Sequence, residues 1–370
     1  MDLGRLRAGP ANRPPAVAAV RAASTRRPVV LAAWCTALAL TGVVVGCSGG
    51  ARAVPPSIAA PPSATTLAAP APASSAPATS PPPPTTTTTA APPPLPAPAR
   101  ITPLASPPLP GEGVWQPAVG GKLARGYAIY TTELRAGSGY APAGIAWIDS
   151  AATRMALYAG TSEPYGTWLQ QGAVATAQLP TLLAAFNSGF KIYSYQTGWY
   201  DHGRTAVPLE AGAASLVILT NGTATVGEWG RDVGLSPTVV SVRQNLTLLV
   251  DHGVAAANVG AAGQWGAVLG GGASTWRSGV GVTAAGNLVY VGGPYLDPSA
   301  LARLLIAAGT VRAMELDINP QWVSFSTFTH AGGIAGAGIL GGNNLLAGMY
   351  YQPGHYLQPV SRDFFAVFGR

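Results

Sequence analysis

Between residues 53 and 110 the chain carries 20 of its 35 prolines, a single charge (Arg100), and no Gly, Trp, Tyr or Phe. Such a stretch cannot bury enough apolar area to offset the entropy of ordering it. It therefore splits the 370 residues into a leader, a spacer and a region able to fold. The proline run 81–84 and the threonine run 85–89 favour extended polyproline II geometry. At about 3.1 Å per residue the spacer predicts a reach on the order of 100 Å. Its threonines are candidate O-glycosylation acceptors.

Charge follows the same partition. Residues 1–52 hold seven arginines against one acid, Asp2, whereas 111–370 hold 13 Lys+Arg and 13 Asp+Glu. The formal net charge of +7 thus belongs to the N-terminus. A nucleic-acid binder needs a cationic surface to displace counterions, and the foldable part has no surplus cation to build one. Nucleic acid is therefore excluded as a partner. Both cysteines, Cys35 and Cys47, precede the foldable part. A disulfide, a zinc–cysteine site or a cysteine nucleophile is unavailable to it.

The leader reads as an address. Arg26-Arg27 precede an apolar run, 29–46, that ends Val44-Val45-Gly46-Cys47. Small residues before a cysteine, after a basic segment and an apolar core, resemble a bacterial lipobox. That resemblance implies lipidation at Cys47, which would become the mature N-terminus. The alternative is an uncleaved helix, since this 18-residue run, interrupted only by Thr36, Thr41 and small residues, reaches the lower limit for a membrane span. Both readings put residues 1–47 at the membrane, 48–110 as a disordered Pro/Ala/Thr-rich linker, and 111–370 outside the cytoplasm as the working domain.

About 260 residues suffice for one core. Strand-like runs cover 126–132, 144–149 and 239–250. Residues 214–226 predict a hairpin with a primed turn at Asn221-Gly222, and 280–291 a second turning near Gly286-Asn287. One helix is well signalled: Asp297 as N-cap, Pro298 in the first turn, Leu301, Leu304, Leu305 and Ala308 on one face, Gly309 at the C-terminal end. A strand at 311–316 follows and leads to Asp317, and 364–368 could close a sheet. The pattern predicts an α+β fold: a single strand-rich domain with a mixed sheet and few helices.

No phosphate loop, HExxH pair or GxSxG elbow is present. The glycine clusters 270–272 and 332–342 could cradle an anion but fit loops or close crossings better. Asp201-His202-Gly203 and Asp251-His252-Gly253 could hold a metal or make tight turns. No cofactor is expected, with a divalent ion as the lesser alternative. Three islands carry more chemistry: 184–190 with Asn187, 275–282 with Trp276 and Arg277, and 313–320 with Glu315, Asp317 and Asn319. Charges in apolar company need partners if buried, so a structural ion pair is the bland reading of Arg277 and Asp317.

The order and spacing of these islands resemble the phosphodiester glycosidase family, which also occurs as a domain of bacterial envelope proteins. Asn187, Gly189 and Phe190 match its first island, Arg277 and Gly281 its second. The hairpin, the helix, Leu316-Asp317 and a closing strand from Arg362 to Phe368 complete the match, over roughly 126–370. The family's glycine-rich turn ending in serine is replaced here by Ile318-Asn319-Pro320-Gln321-Trp322. The resemblance implies a cell-envelope hydrolase that cleaves a sugar-1-phosphate ester, with a phosphorylated envelope glycan as partner. Asp317 would act as the catalytic carboxylate, Arg277 as the phosphate-holding cation, and Asn187 as the orienting amide. Arg204, Glu315, Asn319 and Trp276 are the substrate-binding candidates. The replaced turn keeps a second reading open, a non-catalytic polysaccharide-binding module on the same fold.

Overall fold

Among the described residues, three large antiparallel sheets, a two-stranded one and one substantial helix build the structure. The coordinates are a computed structural model that describes residues 93–330 and 339–370. The leader with Cys47, the linker up to residue 92 and glycines 332–338 lie outside the described residues. Among the described residues, no helix is long and apolar enough to cross a membrane.

The largest sheet has eight strands. At its centre Leu288–Leu296, Thr275–Thr283 and Thr310–Ile318 lie side by side, flanked by Ala143–Ile148 on one side and Leu248–Asp251 on the other. The helix Pro298–Ala307 crosses one face, burying Leu301, Leu304 and Leu305 against Ile145, Val289, Val291 and Leu249. Its start is fixed as expected: the Asp297 side chain accepts from the Ala300 N–H at 2.8 Å. Its end is set by Gly309 at φ +87°, a conformation that glycine adopts without strain. The opposite face carries Val280, Tyr290, Met314 and Leu316. These pack with Leu183, Phe186, Phe325, Phe365 and Val367 of a five-stranded sheet ordered Ile339–Asn344, Phe325–His330, Leu182–Asn187, Phe364–Gly369, Thr153–Tyr158. A third sheet, also five-stranded, contains the 214–228 hairpin. Every pairing between the assigned strands is antiparallel, so the expected mixed sheet is corrected to antiparallel sheets.

Three local expectations change for identifiable reasons. The run 239–250 is two strands, Val239–Gln244 and Leu248–Asp251, in different sheets. Leu246 breaks it at φ +53°, a left-handed turn that hydrophobic patterning cannot signal for a leucine. The first hairpin has no primed turn. Asn221 stays at negative φ, Gly222 alone is left-handed, and the Gly222 N–H donates to Leu219 O at 2.7 Å. This is a type I turn followed by a left-handed glycine, the other common hairpin closure. The chain also folds earlier than residue 111. Ile101 and Ala105 are buried, the Leu95 N–H donates to Arg125 O, and the Ile101 N–H donates to Gly113 O. The last part of the expected linker, from Pro93, is thus docked. Its few apolar residues are diluted in the composition of the whole stretch.

The two Asp-His-Gly tripeptides are tight turns. His202 and Gly203 have φ of 46° and 82°, His252 and Gly253 of 48° and 75°. Each His-Gly pair closes a two-residue hairpin, Asp201 facing Arg204 and Asp251 facing Val254. Positive φ at both central residues is the type I′ signature, and histidine tolerates it better than most side chains.

Asp297→Ala should lower unfolding free energy by about 1 kcal/mol through the lost cap. A urea titration would show it as a lower midpoint at unchanged slope.

Candidate active site

Where the eight-stranded sheet faces the five-stranded sheet that holds Phe364–Gly369, three strand ends converge. Leu182–Asn187 delivers Asn187 and then Ser188-Gly189, Thr310–Ile318 delivers Asp317, and Arg362-Asp363 immediately precede Phe364–Gly369. Asn187 ties the sheets together. Its Oδ1 accepts from the Tyr290 hydroxyl at 2.9 Å and the Ser324 N–H at 3.0 Å. Its Nδ2 donates to Ser188 O at 2.9 Å and Ser278 Oγ at 3.0 Å. The side chain's main hydrogen-bonding capacity is filled by protein, so Asn187 braces the site. Gly189 follows because space is short: a Cβ there would lie 3.2 Å from Asn245.

Asp317 lines the cleft. The Asp317 N–H donates to Ser188 O at 2.9 Å and the Ser278 hydroxyl to Asp317 O at 2.7 Å, which locks the backbone. Its Oδ1 accepts from the Ile318 N–H at 2.8 Å and its Oδ2 from Arg362 Nη2 at 2.8 Å. Burial pushes the carboxyl up to about 7, against the opposing pull of Arg362. Arg362 also donates to Gly189 O, lies 3.7 Å from Glu163 Oε2 through Nε, and stands 5.0 Å over the Trp322 ring. Its Nη1 has no hydrogen-bond acceptor among the described residues. A carboxylate and a guanidinium with unused donors therefore share one cleft.

The lining also includes Ser188, Trp322, Ser324, Tyr351, Tyr356, His355 and Asp363. His355 stacks on Tyr351 with centroids 3.7 Å apart. Burial pulls its pKa down to about 4, so the imidazole is neutral at pH 7. Beneath the cleft, Arg243 and Asp363 form a fully buried pair at 2.7 Å. Asp363 Oδ1 and Ser188 Oγ are buried without a hydrogen-bond partner. The cleft measures about 30 Å³, room for roughly a water or two. A larger cavity of about 370 Å³ lies between residues 109–116 and the Ile129–Leu134 strand. No lysine or arginine lines it, and its Glu112 is spent on Arg135 at 3.0 Å.

The other expected residues separate. Arg277 does not reach the cleft. It is fully buried, with Nη1 donating to Glu315 Oε1 at 2.6 Å and Trp265 O at 2.7 Å, Nε to Leu296 O, and Nη2 to Ala273 O. Glu315 is sealed with it, pushed up by burial and pulled back by Arg277. This is the bland reading of Arg277, an internal ion pair. Asn319 anchors a loop: its Oδ1 accepts from the Leu269 N–H, its Nδ2 donates to Ala267 O, and its φ is +75°. The left-handed position after Asp317 thus falls on asparagine, while Ile318 remains in the strand and is buried. Trp276 packs half-buried against Gly348 and the core. Arg204 is exposed, held over Trp168 at 3.9 Å, outside the cleft lining. Arg362 and Asp363 are the cleft residues that the motif pattern does not flag. Their signal was two adjacent opposite charges opening an apolar strand in a charge-poor domain.

No protein-family model matches the chain, and no curated protein sequence matches it. Among solved structures it is similar to the zebrafish N-acetylglucosamine-1-phosphodiester alpha-N-acetylglucosaminidase catalytic domain, auto-inhibited by its pro-peptide. That match has 13% identity and a TM-score of 0.41, over 69% of this chain and 87% of the other. A hypothetical protein from Synechocystis is similar at 13% identity and a TM-score of 0.36, over 66% of this chain and 62% of the other. Likeness at this level fixes neither the fold family nor the activity.

Arg277→Met should destabilise the protein by about 3–5 kcal/mol, because it strands a buried carboxylate. Adding Glu315→Leu should recover much of that loss, and urea unfolding of both variants reads the difference. Asp317 gives a pH signature. Folded, it keeps its proton up to about pH 7, while its ordinary value is 3.8. Ionisation therefore costs stability as pH rises through that window. The thermal midpoint of Asp317→Asn should gain on wild type from pH 4 to pH 7 and hold its lead above.

Proposed function

We propose that this protein is a cell-envelope hydrolase that cleaves a glycosyl phosphodiester, with Asp317 and Arg362 as its working pair. The supporting observation is that pair itself: a carboxylate and a guanidinium 2.8 Å apart, both lining one cleft. The cation offered to a phosphate is Arg362, in place of the enclosed Arg277.

The chemistry follows from what each group can do. With Arg362 drawn to the phosphate of a bound substrate, Asp317 is left free to accept a proton from a water molecule. The water oxygen attacks the anomeric carbon, and the bond from that carbon to the bridging oxygen breaks. The bonding electrons leave with a phosphate monoester, whose added charge Arg362 stabilises. The proton rests on Asp317 and passes to solvent. A carboxyl titrating near 7 is matched to taking up a proton at neutral pH. Phosphate is a competent leaving group, so no second acid is required. Asn187 contributes by fixing the strand ends that carry Ser188 and Asp317. The leader would tether the domain outside the membrane, through a lipid on Cys47 or an uncleaved helix.

One observation favours the alternative, a glycan-binding module without turnover. Both Asp317 oxygens already accept hydrogen bonds, from the Ile318 N–H and from Arg362. A base must release one of them to hold water.

Reducing sugar released from a sugar-1-phosphate diester separates the two readings. Asp317→Asn should lower kcat/KM by about 100- to 10,000-fold, and Arg362→Ala should do comparable damage. In wild type kcat/KM should rise with pH up to about 7 and then level off, since the ionised carboxylate is the active form. Full activity in Asp317→Asn rejects the assignment, and binding without release in wild type establishes the module.

A further inference from the structure

A cleft with room for a water or two leaves the sugar and phosphate of a substrate at its mouth, and any attached glycan chain on the surface around it. Glu163 marks where the adjoining surface begins. Its Oε2 accepts from the Ile192 N–H at 3.0 Å and lies 3.7 Å from Arg362 Nε. Two residues on, Tyr165 is 71% exposed. One face of its ring stacks on Tyr193, with centroids 4.3 Å apart and planes 11° apart. The Tyr165 N–H donates to Tyr193 Oη at 2.9 Å, which fixes the pair. The other ring face meets solvent. Leu169, in the same loop, is 75% exposed. Together with Tyr193, these two side chains put apolar area at the surface next to the cleft.

Charge gives the surface its sign. The Arg204 guanidinium lies 3.9 Å over the Trp168 ring and donates through Nη1 to Thr167 O at 2.6 Å. Its Nε and Nη2 have no protein acceptor among the described residues, so the edge suited to bidentate oxyanion binding is unoccupied and held in place. Lys191, next to Ile192, is exposed, and among the described residues neither cation forms an ion pair. The acid of this loop, Glu163, is committed to Ile192 and Arg362.

We propose that Tyr165 and Arg204 form a landing surface for a phosphorylated glycan. Its sugar rings lie on the free face of Tyr165, and one of its phosphates meets the Nε–Nη2 edge of Arg204. The choice of glycan rests on the phosphodiester reading of the cleft. The uncommitted edge of Arg204, held on the loop that displays the Tyr165 ring, favours an anionic glycan over an apolar protein partner.

The test uses the full-length protein in detergent carrying Asp317→Asn, so that the polymer is not consumed. Retardation is measured in native gels containing yeast phosphomannan or neutral mannan. Phosphomannan should retard the parent. Tyr165→Ala and Arg204→Ala should each weaken that binding at least tenfold, while Tyr165→Phe keeps it. Arg204→Ala should leave the weaker retardation by neutral mannan unchanged. Thermal midpoints within a few degrees of the parent exclude misfolding, and Arg204→Lys should restore part of the binding. An unretarded parent, or equal retardation of the parent and both alanine variants, overturns the proposal. Polymer binding that needs Tyr165 in a protein whose wild type releases no sugar would keep this surface and remove the hydrolase. Release of sugar with binding indifferent to Tyr165 would do the reverse.

Discussion

The interior of this domain is organised by two guanidinium groups that have no access to water. Arg277 and Arg243 each had to be supplied with a carboxylate and with backbone carbonyls, because an unpaired buried charge costs far more than a folded domain can spare. Glu315 serves the first and Asp363 the second. Once those assignments are made, the distribution of function follows. Asp317, two residues beyond Glu315 on the same strand, is the carboxylate left over, and it meets the half-buried Arg362 where the sheets part. Glu315 and Asp317 thus share a strand and divide the labour: one closes the core, the other opens on a cleft.

Much of the scaffold could be read from the residues because its signals are local. The Asp297 cap, the leucine face of the helix, the glycine after it, and Asp317 at a strand end each depend on neighbours within a few positions. What escaped depends on partners far along the chain. Nothing near Arg277 says that Trp265, Leu296 and Glu315 will enclose it. Nothing near Arg362 says that Asp317, 45 positions earlier, will receive it. The break at Leu246 was hidden for another reason, since it places a leucine where local preference points elsewhere. The paired Asp-His-Gly tripeptides show the converse. Their histidines invite a metal, but the adjoining glycines already describe a turn.

The backbone after Asp317 turns without a glycine. The left-handed residue is Asn319, whose side chain also bonds the loop at 267–269. Asparagine is among the few residues other than glycine that enter this region readily. Ile318 keeps its place in the strand and supplies an N–H to Asp317. The turn is thus made by asparagine, and its route leaves Trp322 beneath the Arg362 guanidinium. Trp322 gives the cleft an aromatic wall.

The docked segment before Gly111 bears on how the domain could be excised. A cut placed where proline and threonine give way to glycine and aromatics would discard Ile101 and Ala105. It would also leave the Gly113 carbonyl without its donor and the Trp115 indole without the Ala99 carbonyl. A fragment beginning at Pro93 keeps this clasp whole; one beginning at Gly111 starts with an unsealed flank.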